Sequence, residues 1–182
     1  MTQSLKSSFS GAIRPVCSAD LEAIVAVDNS CFGPEESYPR ELLQDFLQAS
    51  GKSSGTIMLI ASDSGAGDVA GYALGTVDKK SGAGLIISLA VTAPYQGQGL
   101  GRKLLEQVSE SLQSCGANKL FLQVEVDNAS AIHLYETSGF VKTALLRHYY
   151  NGRDGMEMTK YLGKKIPKNG ARPQNVLPIT ER

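Results

Sequence analysis

The chain has 182 residues, 42% hydrophobic and 20% charged, with 18 Lys plus Arg against 18 Asp plus Glu. That length suits one domain with a full core, and a formal net charge of zero argues against the basic face that non-specific nucleic-acid binding requires. Cys17, Cys31 and Cys115 lack CxxC spacing, the N-terminus has no apolar leader, and no run approaches the ~20 apolar residues of a membrane span, so a cytoplasmic chain with no metal and no membrane partner is expected.

Residues 1–11 are polar and Ser-rich and read as a flexible start. "AIRPVC" reads as a short strand. "SADLEAIVAVDNSCF" reads as a helix with Ser18 as its cap and Leu21, Ile24, Val25 and Val27 as its stripe. Pro34 ends it. "SYPRELLQDFLQAS" reads as a second helix with Leu42, Leu43, Phe46 and Leu47 on one face. "GTIMLIAS" and "VAGYALGTVDK" are strands around the turn "DSGAGD", and a hairpin at "KKSGAG" leads into "LIISLAVT", apolar enough for a strand buried on both faces.

A glycine-rich loop follows, then a helix from about Leu100 to Ser114 carrying Leu104, Leu105, Val108 and Leu112. "KLFLQVEV" alternates as a strand, with Leu120, Leu122 and Val124 opposite Phe121, Gln123 and Glu125. "DNASAIHLYETSG" reads as a helix capped by Asp127 or Asn128. "FVKTALLRHYY" and "DGMEMTKYL" are strands around "NGRD", and residues 163–182 read as a polar, mobile tail. Interleaved strands and helices predict an α/β or α+β sandwich around a mixed sheet.

The loop "YQGQGLGRK" raises the functional question. A dinucleotide fingerprint, G-x-G-x-x-G from Gly97, needs its third glycine where Arg102 stands, and a P-loop from Gly97 fails at the same residue. What fits is Q-x-x-G-x-G from Gln96 to Gly101, between a buried strand and a helix. Small residues let a ligand approach the backbone, and the first helical amides, with the positive end of the helix dipole, favour a pyrophosphate. Arg102 and Lys103 add charge in the first turn.

This loop resembles the acetyl-CoA pyrophosphate loop of the GNAT acyltransferase superfamily. A second stretch agrees: "DNASAIHLYETSGF" is similar to the family's N-x-x-A-x-x-x-Y-x-x-x-G-F motif, with Asn128, Ala131, Tyr135, Gly139 and Phe140 in place. The resemblance covers residues 12–162. It implies the GNAT fold, a mixed, mostly antiparallel sheet flanked by helices. Within the superfamily the chain looks most like the RimI-type protein N-terminal acetyltransferases, while relatives that acetylate small amines share the scaffold.

The resemblance implies that acetyl-CoA is bound by Leu89, Ala90 and Val91 along its pantetheine arm, and by Gln96, Gly97, Gln98, Gly99, Leu100, Gly101 and Arg102 at its pyrophosphate. Asn128 would bond the same arm, and would also serve as a helix cap. A backbone N–H of the "ISLAV" strand would polarise the thioester carbonyl, and Tyr135 would protonate the departing thiolate. The acceptor is expected to be a primary amine, such as a protein N-terminus, bordered by Tyr38, Gln123, Tyr149 and Tyr150. RimI-like enzymes often carry Glu at the place of Gln123, and an amide cannot take a proton. Glu125, on the same side of the strand, and His148 are the alternative bases. A small-amine acetyltransferase and a non-catalytic acyl-CoA-binding regulator are the competing readings. A monomer or weak dimer is expected.

Overall fold

Period-two apolar patterning produces a seven-stranded sheet: β1 (Ala12–Pro15), β2 (Thr56–Ser62), β3 (Val69–Asp78), β4 (Ala83–Val91), β5 (Lys119–Glu125), β6 (Val141–Tyr150) and β7 (Arg153–Tyr161). Their spatial order is β1-β2-β3-β4-β5-β7-β6. Neighbours are antiparallel except β4 and β5, which run parallel. The helices are α1 (Leu21–Phe32), α2 (Arg40–Ala49), α3 (Leu100–Ser114) and α4 (Ala129–Thr137). This computed structural model describes residues 9–51, 53–63 and 68–163. The N-terminal start before Phe9, the tip of the "DSGAGD" turn and the tail beyond Gly163 lie outside the described residues.

The sheet separates two cores. Ile57, Leu59, Leu120, Leu122 and Val124 pack on one face with Leu104, Leu105, Val108 and Leu112 of α3 and Tyr135 of α4. Met58, Ile60, Tyr72, Leu74 and Ala90 pack on the other with Ile24 and Val27 of α1 and Leu43 of α2. Removing each large side chain from water contributes about 1.5–3 kcal/mol. The α3 stripe, spaced at three to four residues, therefore fixes that helix firmly on the sheet.

Two details of this framework shape the site. First, β4 and β5 pair only over Ala83–Leu85 and Lys119–Phe121, then separate. The strand expected to be buried on both faces is so only up to Ile86; farther along, burial alternates as β4 borders open space. Second, the β3–β4 register skips a residue, since Leu74 faces Ser88 while Gly75 faces Ile86. Ile87 is thus a bulge that bends β4 just past the split.

Sequence expectations for the helix starts change in one place. Ser18 does not cap α1. A 3₁₀ turn, Ser18–Asp20, precedes the helix, and Asp20 holds it by accepting from Cys17 N–H at 2.7 Å and from both Arg14 Nη atoms at 2.8 Å. Contacts also begin earlier than Ala12. Phe9 lies edge-on to Tyr95, and its N–H donates to Gln98 Oε1 at 3.2 Å.

Candidate active site

The split between β4 and β5 opens a cleft of about 600 Å³. Ile86–Leu89 form one wall and Leu122–Glu125 the other, with Ala131 and Tyr135 of α4 and its N-cap Asn128 behind them. Phe32 and Glu36 after α1, and His148–Asn151 of the β6–β7 hairpin, close the remaining sides.

At the end of β4 the chain turns through the glycine loop into α3. Gly97 and Gly99 take φ of 74° and 80°, the left-handed region that glycine enters without cost. The first intrahelical bond runs from Lys103 N–H to the Gly99 carbonyl at 3.1 Å. The amides of Leu100, Gly101 and Arg102 therefore have no intrahelical acceptor and lie at the positive end of the dipole. Gly101 has ordinary helical φ, and a Cβ there would meet only Leu134 Cδ2 at 3.5 Å and Val91 Cγ2 at 3.8 Å. The protein's own packing thus leaves room for a side chain at 101, so the glycine is not explained by crowding from within. The cradle fits a diphosphate.

Three loop side chains are used to hold the loop itself. Gln96 Nε2 donates to the Val91 carbonyl at 2.8 Å. Gln98 Nε2 donates to the Pro94 carbonyl at 3.0 Å while its Oε1 accepts from Phe9. Arg102 donates to the Thr137 carbonyl at 3.2 Å and Oγ1 at 2.8 Å, at the C-terminus of α4. Arg102 commits only part of its guanidinium to Thr137, so further N–H donors stay beside the loop backbone.

Tyr135 is 8% exposed and lies edge-on to Phe140. Burial pushes its phenol up to about 12, so it carries its proton throughout the neutral range and is a donor. Tyr150 is pushed up by burial, with Tyr149, Tyr135 and Glu125 adding to the effect. Its ring and that of Tyr149 are T-shaped at 5.0 Å. Asn128 caps α4 by accepting from Ala131 N–H at 3.1 Å, while lining the cleft.

On the opposite side, Glu125 is pushed up by burial and then by Asp127. Arg153 Nη1, 2.9 Å from Glu125 Oε2, acts in the other direction. Arg153 also pairs with Glu36. His148 has φ of 54° in the irregular last stretch of β6, between Leu146 and Tyr150, where the pairing with β7 shifts register. Its N–H donates to Asp154 Oδ1 at 2.9 Å and its Nδ1 lies 3.0 Å from the Gly152 carbonyl. A carbonyl only accepts, so Nδ1 bears the hydrogen in the neutral ring and Nε2 is left basic.

The profile of the acetyltransferase (GNAT) family matches residues 21–140, which include the split strands, the glycine loop and Tyr135. The chain belongs to the GNAT acetyltransferase family. It is 44% identical over 72 residues to the [ribosomal protein bS18]-alanine N-acetyltransferase of Escherichia coli K12, covering 40% of this chain and 49% of that protein. It is 33% identical over 106 residues to the N-alpha-acetyltransferase MAK3 of Arabidopsis thaliana, covering 54% and 56%. The chain thus spans about half the length of the curated relatives it matches. The crystal structure of the E. coli ribosomal-protein-S18-alanine N-acetyltransferase superposes with a TM-score of 0.71 at 25% identity, over 92% of this chain and 99% of that one. The NatC complex bound to Gag peptide and CoA shares the fold, with a TM-score of 0.71 at 24% identity over 84% and 98%.

Within this GNAT chain, one expected acceptor residue is displaced. Tyr38 does not line the cleft. It is 7% exposed, with its N–H on Asp28 Oδ2 at 2.6 Å and its ring edge-on to Phe46. Its hydroxyl lies 3.5 Å from the carbonyl of Ile87, so Tyr38 supports the cleft wall from behind. Glu36, Arg153 and Ser88 are site residues that sequence reasoning missed. The stretches "NSCFGPEESYPR" and "RHYYNGRD" do hold Glu36 and Arg153, but only the fold brings them together.

Proposed function

We propose that this chain transfers the acetyl group of acetyl-CoA to a primary amine, specifically the N-terminal amine of a protein or peptide. One observation carries the reading: β4 and β5 part directly beside the glycine-rich start of α3, with a buried, protonated Tyr135 at the back of the opening. The names of the relatives, which specify N-terminal or N-alpha acetylation, support the choice of acceptor.

The amides of Leu100, Gly101 and Arg102 would hold the pyrophosphate. The β4 backbone at Leu89–Val91 would hold the pantetheine arm, with Asn128 donating from its amide nitrogen. A β4 N–H stabilises the developing oxyanion, and Tyr135 protonates the leaving thiolate. The amine's proton goes to His148 Nε2 or, through water, to Glu125, since Gln123 cannot take it. A cytoplasmic setting accompanies this reading, supported by three free thiols at Cys17, Cys31 and Cys115.

The test is thiol release from acetyl-CoA with N-terminal peptides and small amines side by side. Transfer to peptides with higher kcat/KM than to small amines is expected. Preference for a small amine would move the acceptor assignment, and tight acetyl-CoA binding without transfer to any acceptor would overturn the enzymatic reading.

A further inference from the structure

Asp28 of α1 is fully buried, and its carboxylate sits at the end of a chain of hydroxyls leading to the cleft. Tyr38 N–H donates to Oδ2, and the Tyr72 hydroxyl donates to Oδ1. The Tyr72 oxygen lies 2.8 Å from Ser88 Oγ, and Ser88 lines the cleft. Burial, then the charge of Asp28, push the Tyr72 phenol well above its ordinary value, so its single proton stays on the ring oxygen. Asp28 Oδ1 is the acceptor of the Tyr72 hydroxyl. Tyr72 therefore spends its proton on Asp28, and the Tyr72–Ser88 bond must be donated by Ser88. The Ser88 hydroxyl thus has its only hydrogen turned inward, and what it has left for the cleft is lone pairs.

The β4 bulge decides which way Ser88 faces. Leu85 and Phe121 share a small cluster on the side of α1 and α2. Strict alternation from Leu85 would send Ser88 to the opposite face, but the extra residue Ile87 returns it to the side of Tyr72 and Ala90. Discounting the bulge, Ser88 stands two steps beyond the last β4–β5 pair, Leu85–Phe121. Gln123 also stands two steps beyond it, on the face of Phe121. Gln123 Oε1 is buried and has no hydrogen-bond partner among the described residues. Two acceptors without donors, one on each wall, thus flank the opening just past the split.

We infer that Ser88 and Gln123 are the positioning pair for the attacking amine. Each accepts one N–H of the neutral primary amine, which leaves the nitrogen lone pair free to point at the thioester carbonyl. Both acceptors are uncharged, so the pair holds the amine without trapping it as an ion-paired ammonium. The inference rests on the acetyl-transfer reading and adds a specificity to it: an amine with two N–H groups is favoured over one with a single N–H.

The experiment compares two peptides differing only in the N-terminal residue, alanine or N-methylalanine, with the full chain and its Ser88→Ala, Ser88→Thr and Gln123→Met variants. Acetyl-CoA affinity by calorimetry reports that each variant is folded with its cofactor site intact. With the alanine peptide, Ser88→Ala and Gln123→Met are each expected to lose about tenfold in kcat/KM, the worth of one well-placed hydrogen bond. Ser88→Thr should recover most of it. The preference for alanine over N-methylalanine should shrink in Gln123→Met, an effect that a merely structural role would not produce. An active wild type whose preference and rate survive both truncations overturns the inference alone. A wild type that binds acetyl-CoA but acetylates neither these peptides nor any small amine overturns the acetyl-transfer reading and the inference with it.

Discussion

Arg153 of β7 donates to Glu125 Oε2 at 2.9 Å and also pairs with Glu36, so one guanidinium ties β5 to the loop after α1 at the rim of the cleft. Both carboxylates line the same opening. Arg153 therefore joins two segments that border the cleft, and its nearby cation favours the ionised form of Glu125.

Removing that cation should raise the Glu125 carboxyl further, on top of the upward push from burial and Asp127. If ionised Glu125 takes the amine's proton, the acid limb of the kcat/KM profile moves to higher pH in Arg153→Ala, by roughly one unit. It disappears in Glu125→Gln. A limb unmoved in both variants assigns the proton to another group, and His148→Ala, read in the same way, tests the Nε2 left basic by the Gly152 contact.

Tyr135→Phe should lower kcat by about 100-fold, the lower end of what a placed general acid contributes, with acetyl-CoA affinity near that of wild type. Because burial holds the phenol at about 12, Tyr135 should add no alkaline limb below that pH. Unchanged turnover in Tyr135→Phe would remove it as the acid.

Much of this was legible in the sequence because local signals and tertiary role coincide there. Gln96–Gly101 sits between an apolar strand and an amphipathic helix, and the helix capped by Asn128 and carrying Tyr135 follows one strand later, so the resemblance those two motifs carry points to the loop and implies Tyr135 as the acid. The inward place of Tyr38 is not visible in the local pattern, because it depends on the bond of its N–H to Asp28 of α1. Ser88 could not be read at all: a bulge changes which face it occupies, and alternation assigns the wrong one. Arg102 bonds Thr137 at the end of α4, a tertiary contact that no local pattern shows.

The Asp20 fork has a consequence for stability. The Arg14 hydrogen bonds, against a smaller opposing cost of burial, lower the Asp20 carboxyl from 3.8 to about 2. A depressed carboxyl stabilises the fold above its unfolded value and loses that contribution as pH falls through its folded one. Asp20→Asn should therefore cost about 1–2 kcal/mol at neutral pH. The difference in Tm from wild type should shrink as pH falls toward 2 and vanish below it. An equal difference at both pH values would mean that packing, not charge, is what Asp20 contributes.

Gly101→Glu tests most directly whether the start of α3 holds the pyrophosphate of acetyl-CoA. A Cβ at 101 meets no atom closer than 3.5 Å, and replacing a helical glycine, together with an acidic group near a helix N-terminus, stabilises a helix by roughly 0.5–1 kcal/mol. The variant should keep or raise the wild-type Tm. Calorimetry with acetyl-CoA should nevertheless show affinity weakened by at least about 100-fold, some 2.7 kcal/mol, because a carboxylate then stands where the diphosphate must lie. A folded Gly101→Glu chain that binds acetyl-CoA as tightly as wild type would mean that the pyrophosphate lies elsewhere.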